Sequence, residues 1–293
     1  MKVALWAENL SYPVSSVEDW GRVVEGQAAE AKRQGSTLLL MPEYSAAHWL
    51  HFVSRSLPAP RQLSALADYA PQAAKIVSDI AVKHGILVVS GSFPVHRPDL
   101  NPPLSNRAHI HFPDGKTLVQ DKLCLTPFEK EPQDWNLSPG DTLSVFEWQG
   151  YRIAVVICLD IELPALSARM ATLNIDLILV PSMTSKLAGY HRVFGCARAR
   201  AVELLAAVAA VGCIGGAPRC EQEISGASVF IPCEEKFGHT GVLAAIPPSD
   251  SAEGAGPLLV SDIPLADIRR MRQDGKAEVW PGTWNADHVK IVG

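Results

Sequence analysis

Five short apolar runs set the strongest limit on how this chain folds: residues 37–41 (TLLLM), 86–90 (ILVVS), 153–157 (IAVVI), 176–181 (DLILVP) and 206–213 (AAVAAVGC). None has helical spacing, and each is too uniformly apolar to keep one side in water. They read as strands buried on both faces. Sheets built from such strands must be covered twice, by helices or by another sheet. Helical segments alternate with them. Residues 17–31 place Val17, Trp20, Val23, Val24, Ala28 and Ala31 at near-helical spacing, behind a capping box at Ser15-Ser16-Val17-Glu18 and ahead of a C-cap at Gly35. Further helices are expected over about 71–84, 164–174, 190–203 and 263–273. Pro113-Asp114-Gly115 and Gln149-Gly150 each mark a hairpin.

Hairpins mixed with β–α units exclude a simple all-parallel sheet. The expected fold is α/β: two mixed sheets packed face to face with helices outside, a four-layer α-β-β-α arrangement. No linker, repeat or low-complexity block divides the chain. One domain is expected over 1–270, with 271–293 a tail packing on the domain or on a partner subunit.

The chain has 293 residues, 47% of them hydrophobic, and a net charge of −5 with scattered Lys and Arg. The absence of a basic stripe argues against nucleic acid as a partner. Its six cysteines (Cys124, Cys158, Cys196, Cys213, Cys220, Cys233) form no CxxC pair and no metal-ligand spacing, which suits reduced thiols in the cytoplasm. The opening MKVALWAEN is too short an apolar stretch for a signal peptide, and the longest uncharged apolar run, 204–218, is too short for a membrane span. No membrane partner, metal or cofactor is expected.

Three buried-type strands end in a reactive group. Glu43 follows TLLLMP, Lys122 follows TLVQD, and Cys158 follows IAVVI. Taken singly, each has a plain reading: a turn carboxylate, a solvated lysine, a cysteine acting as a small core hydrophobe. Taken together they supply a base, a fixed cation and a thiol at strand ends, where α/β sheets bind ligands. That set suits amide hydrolysis. A thiol of pKa near about 8.5 needs a base to become a nucleophile. The base needs a pKa raised by burial so that it can later protonate ammonia. The oxyanion needs an ammonium and backbone N–H groups.

MPEY around Glu43, DKLCLTPFEKE around Lys122 and VVICLDIELP around Cys158 resemble the three motif blocks of the nitrilase superfamily of carbon–nitrogen hydrolases. SPGDTLSVFEWQGYRIAVVIC, DLILVPS, ARARAVE and GASVFIP extend the resemblance, in order, from Val3 to about Asp262. It implies the α-β-β-α sandwich, homodimers or larger homo-oligomers, and a Glu–Lys–Cys triad. Carried over, Glu43 is general base and acid, Lys122 the oxyanion-stabilising cation and Cys158 the nucleophile. Glu129 is the second glutamate, ahead of Glu131, and the Leu159 N–H completes the oxyanion hole. Cys158 is followed by Leu-Asp: the Asp is similar to amidase branches, while the Leu is unusual. Cys233-Glu234-Glu235 stands where the family often has a tight turn. The implied activity is cofactor-independent hydrolysis of a small linear amide or N-carbamoyl compound through a thioester. The rivals are a nitrilase, a catalytically silent oligomeric binding protein and a redox-sensing thiol protein.

Tyr44, Phe128, Trp135, Met183 and Thr184 flank these segments and are candidate pocket residues. Cys124 reads as core filling. His109 and His111 alternate on one strand and are expected at its surface. Asp160 and Glu162 are expected as carboxylates at a helix N-terminus. Arg198, Arg200 and Glu203 are expected to form a structural polar face.

Overall fold

The computed structural model describes the chain apart from residues 54–56, 219–220, 276, 278–286 and 293. Its first half runs β1 (Lys2–Trp6), α1 (Val17–Arg33), β2 (Leu38–Leu40), α2 (Ala59–His84) and β3 (Leu87–His96). The antiparallel strands β4 (Leu104–His111) and β5 (Thr117–Asp121) follow, then a one-turn helix α3 (Pro127–Lys130). The second half runs β6 (Val145–Trp148), β7 (Tyr151–Val155), α4 (Pro164–Met170), β8 (Leu177–Ser182), α5 (Leu187–Glu203) and β9 (Ala207–Gly212). It ends with β10 (Ser225–Phe230), β11 (Val242–Ser249), β12 (Leu258–Asp262) and α6 (Leu265–Gln273).

The strands form two six-stranded sheets, ordered β12-β1-β2-β3-β4-β5 and β11-β10-β9-β8-β7-β6. Each has a parallel trio, β1-β2-β3 or β7-β8-β9, flanked by antiparallel strands. The apolar runs explain the layering. Leu38, Leu40, Leu87 and Val89 join one core with Ile153, Val155, Leu177 and Leu179 of the other sheet. Leu39, Met41 and Val88 belong instead to a second core with Trp20, Val24 and Ala28 of α1 and Val77 and Ala81 of α2. Alternation along β2 and β3 therefore feeds two apolar layers. The expected four-layer sandwich is the observed fold.

Local expectations fare unevenly. The Gln149-Gly150 turn joins β6 to β7 with both residues at positive φ (50° and 78°), as a tight hairpin requires. The first cap is displaced by one residue: Ser16 caps α1 and accepts from the Asp19 N–H, while Asp19 accepts from Ser15. α2 begins at Ala59, not near residue 71, and carries Pro71 inside it. Pro71 suits a first helical turn, which is why the sequence alone points to a start there. β11, which begins at Val242 beyond the Cys233-Glu234-Glu235 segment, is a strand that the sequence does not lead one to expect. His109 and His111 are not surface residues: His111 is buried, His109 half-buried, and their rings stack with centroids 5.8 Å apart. Burial pushes their imidazoles down to about 4 and about 3, which keeps both neutral. Among the described residues, no helix is long and apolar enough to cross a membrane.

Candidate active site

Glu43 lies just beyond β2. Its N–H donates to the Ser182 carbonyl at 3.3 Å and its carbonyl accepts from the Cys213 thiol at 3.4 Å, so the other sheet fixes this backbone. Gly91 permits the close pass of β3: a Cβ there would lie 1.8 Å from the Pro42 carbonyl oxygen. Lys122 follows β5, and its N–H donates to the Asn106 carbonyl at 2.8 Å. Cys158 follows β7 at φ 47°, a left-handed conformation uncommon for a residue with a Cβ.

These strand ends converge on one buried cluster. Lys122 Nζ donates to Glu43 Oε1 at 2.8 Å and to Glu129 Oε2 and Oε1 at 2.7 and 2.9 Å. The Cys158 thiol donates to the Met183 carbonyl at 3.8 Å, and it shares the cavity lining with Glu43 and Lys122. Glu129 accepts from the Tyr44 hydroxyl at 2.7 Å and from the Thr126 N–H and hydroxyl at 2.8 and 3.0 Å. Thr126 caps α3 and receives the Glu129 N–H in return, a capping box that locks the carboxylate. Glu131 is exposed at the end of the same helix, so Glu129 is the partner of Lys122. With both carboxylates ionised, two on one ammonium leave the cluster one negative charge in excess.

Burial dominates its electrostatics. It raises Glu43 to about 7, with the Lys122 charge opposing and Glu129 adding to the rise. Burial opposes the Lys122 charge too, but Glu43 and Glu129 outweigh it and hold the ammonium protonated. Burial would raise Glu129 as well; Lys122 and the Thr126 and Tyr44 donors bring it below the ordinary value. Burial, then the Glu43 charge, pushes the Cys158 thiol well up. The resting thiol therefore keeps its proton, next to a carboxylate able to accept it.

Two residues that organise this site were not expected there. Asn106 of β4 donates to Glu43 Oε1 at 2.9 Å and to Glu129 Oε1 at 3.4 Å. Asp160 is buried and accepts from the N–H groups of Ile157, Cys124 and Leu123 at 2.9, 2.8 and 3.3 Å. It does more than sit at a helix N-terminus, because it ties the Cys158 turn to the Lys122 loop. Glu162 instead pairs with Arg192 at 2.8 Å. Arg200 holds the Ile161 carbonyl and Glu203, as a structural pair would.

A cavity of about 490 Å³ opens above Glu43, Lys122 and Cys158. Tyr44, Phe128, Trp135 and Met183 line it, as expected, and Tyr44–Trp135 and Trp135–Phe128 meet edge-on at 4.6 and 5.1 Å. Thr184 does not line it; its hydroxyl donates to the Ile224 carbonyl at 2.8 Å. An apolar wall comes from Ala47, Leu50, Leu63 and Leu66, and Glu221 and Glu223 add carboxyls. This wall comes from residues 47–66, a stretch for which the sequence alone suggests no helix or strand. Cys124 and Cys196 are half-buried, Cys213 buried and Cys233 exposed. None of these four lines the cavity, and Cys220 lies outside the described residues.

A family model described as carbon-nitrogen hydrolase matches residues 13–273. The probable hydrolase YhcX of Bacillus subtilis (strain 168) is 28% identical over 265 residues, 89% of this chain and 50% of its own length. An (R)-stereoselective amidase of a Pseudomonas species is 33% identical over 102 residues, 34% of this chain and 36% of that protein. The chain thus spans half or less of the length of these two relatives. Among solved structures, the amidase from Nesterenkonia sp. AN1 has the same fold, with TM-score 0.68 at 23% identity over 94% of this chain and 98% of that one. A mutant of that amidase carries the acetamide moiety of fluoroacetamide covalently added at its active-site cysteine.

Proposed function

The chain belongs to the carbon–nitrogen hydrolase family, and from that premise we propose that it is a cysteine amidase acting on a small linear carboxamide or N-carbamoyl compound. In the proposed cycle Glu43 takes the Cys158 proton, and the thiolate attacks the carbonyl carbon. The oxyanion is met by the Lys122 ammonium and the Leu159 N–H, each such donor lowering the barrier by about 3–4 kcal/mol. Glu43 returns the proton to the leaving nitrogen as the C–N bond breaks, releasing ammonia and leaving a thioester. Water, deprotonated by Glu43, attacks the thioester, yielding an acid and the regenerated thiol. Glu129 keeps Lys122 charged and in place.

The observation carrying this reading is a buried acid–ammonium pair, with Lys122 Nζ 2.8 Å from Glu43 and 2.7 Å from Glu129, lining the same cavity as the Cys158 thiol on which the Glu43 charge acts. The acetamide adduct of the Nesterenkonia amidase supports it as a likeness. Mass spectrometry of protein quenched during turnover of a panel of amides tests it. The expected result is an acyl mass on the Cys158 peptide and a burst of ammonia, both lost in Cys158→Ala. Full amidase activity in Cys158→Ala would overturn it. Release of acid from nitriles but not from the matching amides would favour a nitrilase.

A further inference from the structure

The cavity holds one buried acid for which the amide chemistry has no use. Glu223 is 3% exposed, lines the cavity, and its Oε2 has no hydrogen-bond partner among the described residues. Its position is fixed. The Glu223 N–H donates to the Gly215 carbonyl at 2.8 Å, and its own carbonyl accepts from the Gly215 N–H at 3.1 Å. Ile224 is held in the same way by Thr184, through its N–H at 2.8 Å and its carbonyl at 2.8 Å. These bonds fix the main chain, the side chain is buried, and a buried polar atom without a partner is costly.

Burial first, then the charges of Glu221 and Glu43, push Glu223 up to about 8. Lys122 is the one cation lining the cavity among the described residues, and Glu43 and Glu129 already engage it. The cavity therefore presents uncompensated acid at Glu223, with apolar side chains such as Leu50, Leu63 and Leu66 also lining it. A second carboxyl nearby and the charge of Glu43 favour a cation over a neutral acceptor. Hydrocarbon suits the apolar lining.

We propose that Glu223, supported by Glu221, receives a primary ammonium group at the opposite end of the substrate from the scissile amide, so that the preferred substrates are ω-amino amides. This rests on the amidase reading above.

The experiment compares kcat/KM for ammonia release from 3-aminopropanamide, 4-aminobutanamide, 5-aminopentanamide and 6-aminohexanamide with that from butanamide, pentanamide, hexanamide and heptanamide, their methyl-ended isosteres. Tenfold or greater preference for the amine is expected at one or more lengths. Glu223→Gln should cut that ratio at least tenfold, mainly through KM, and Glu223→Asp should restore part of it. Two results would overturn the proposal: a neutral isostere preferred at every length, or an unchanged ratio in Glu223→Gln. Calorimetric binding of the same pairs to Cys158→Ala separates the two readings. Selective amine binding without turnover in the parent protein keeps the subsite and removes the amidase, whereas turnover without amine preference does the reverse.

Discussion

At Glu43 catalysis and stability respond to pH in opposite directions. Its carboxyl is raised from the ordinary 4.5 to about 7, chiefly by burial. Proposed as the base, it works only when ionised, so kcat/KM should climb through a limb near pH 7. Folding has the other sign. Below 4.5 both states hold the proton; between 4.5 and 7 the unfolded chain has released it while the native chain keeps it. Stability therefore falls as pH rises across that window, and Glu223, raised to about 8, continues the loss to 8. Denaturant titrations at several pH values should show Glu43→Gln closing on the parent in stability, or overtaking it, between pH 4.5 and 7, with activity abolished. A pH-independent difference between the two proteins would refute the assignment. Glu43 and Cys158 are legible because each ends an apolar run; Lys122 follows TLVQD, a largely exposed edge strand, and is legible only through the motif around it. Asn106 and Glu223 are not: nothing local distinguishes a strand asparagine or a loop glutamate that tertiary packing will bury. Thr184 sits beside Met183 in sequence yet braces Ile224 instead.

Elements matter here through their ends. β7 stops at Val155, and the next turn is held by one side chain, Asp160, which gathers three backbone N–H groups from two segments. Burial raises this acid to about 6, with those N–H groups opposing the rise. Asp160→Asn would turn an NH2 toward N–H donors and leave buried donors unmet, at about 1–3 kcal/mol each. The expected outcome is a fall in melting temperature and at least a tenfold loss of kcat/KM. Unchanged kcat/KM in the folded variant would show that the brace has no role in catalysis. Helix and strand identities were largely readable from period and capping, whereas α2 was cut short because a proline at 71 mimics a helix start. Its unread first half supplies Leu63 and Leu66 to the cavity.

The two halves of the molecule repeat one strand plan, and the site takes Glu43 and Lys122 from the first sheet and Cys158 from the second. Such a plan was visible in the runs of apolar residues, but not its symmetry, which lives in pairing rather than in sequence. The end of the described fold is fastened by Asp176 at the start of β8, which pairs with Arg272 at 2.7 Å and with Arg269, both on α6, and accepts the Arg152 N–H at 2.9 Å. Asp176 and Arg272 are nearly enclosed, so Asp176→Ala strands a buried guanidinium. The expected cost is about 3 kcal/mol, read as a lowered denaturant midpoint; a midpoint within error of the parent would count against the clamp. Glu43, finally, is hung by its main chain from Ser182 and Cys213, at the ends of the adjacent central strands β8 and β9 of the opposing sheet. Acid and sulfur are thus set to one another as two leaves of a hinge are set by the pin, and a slip between the leaves would silence the chemistry before either leaf came apart.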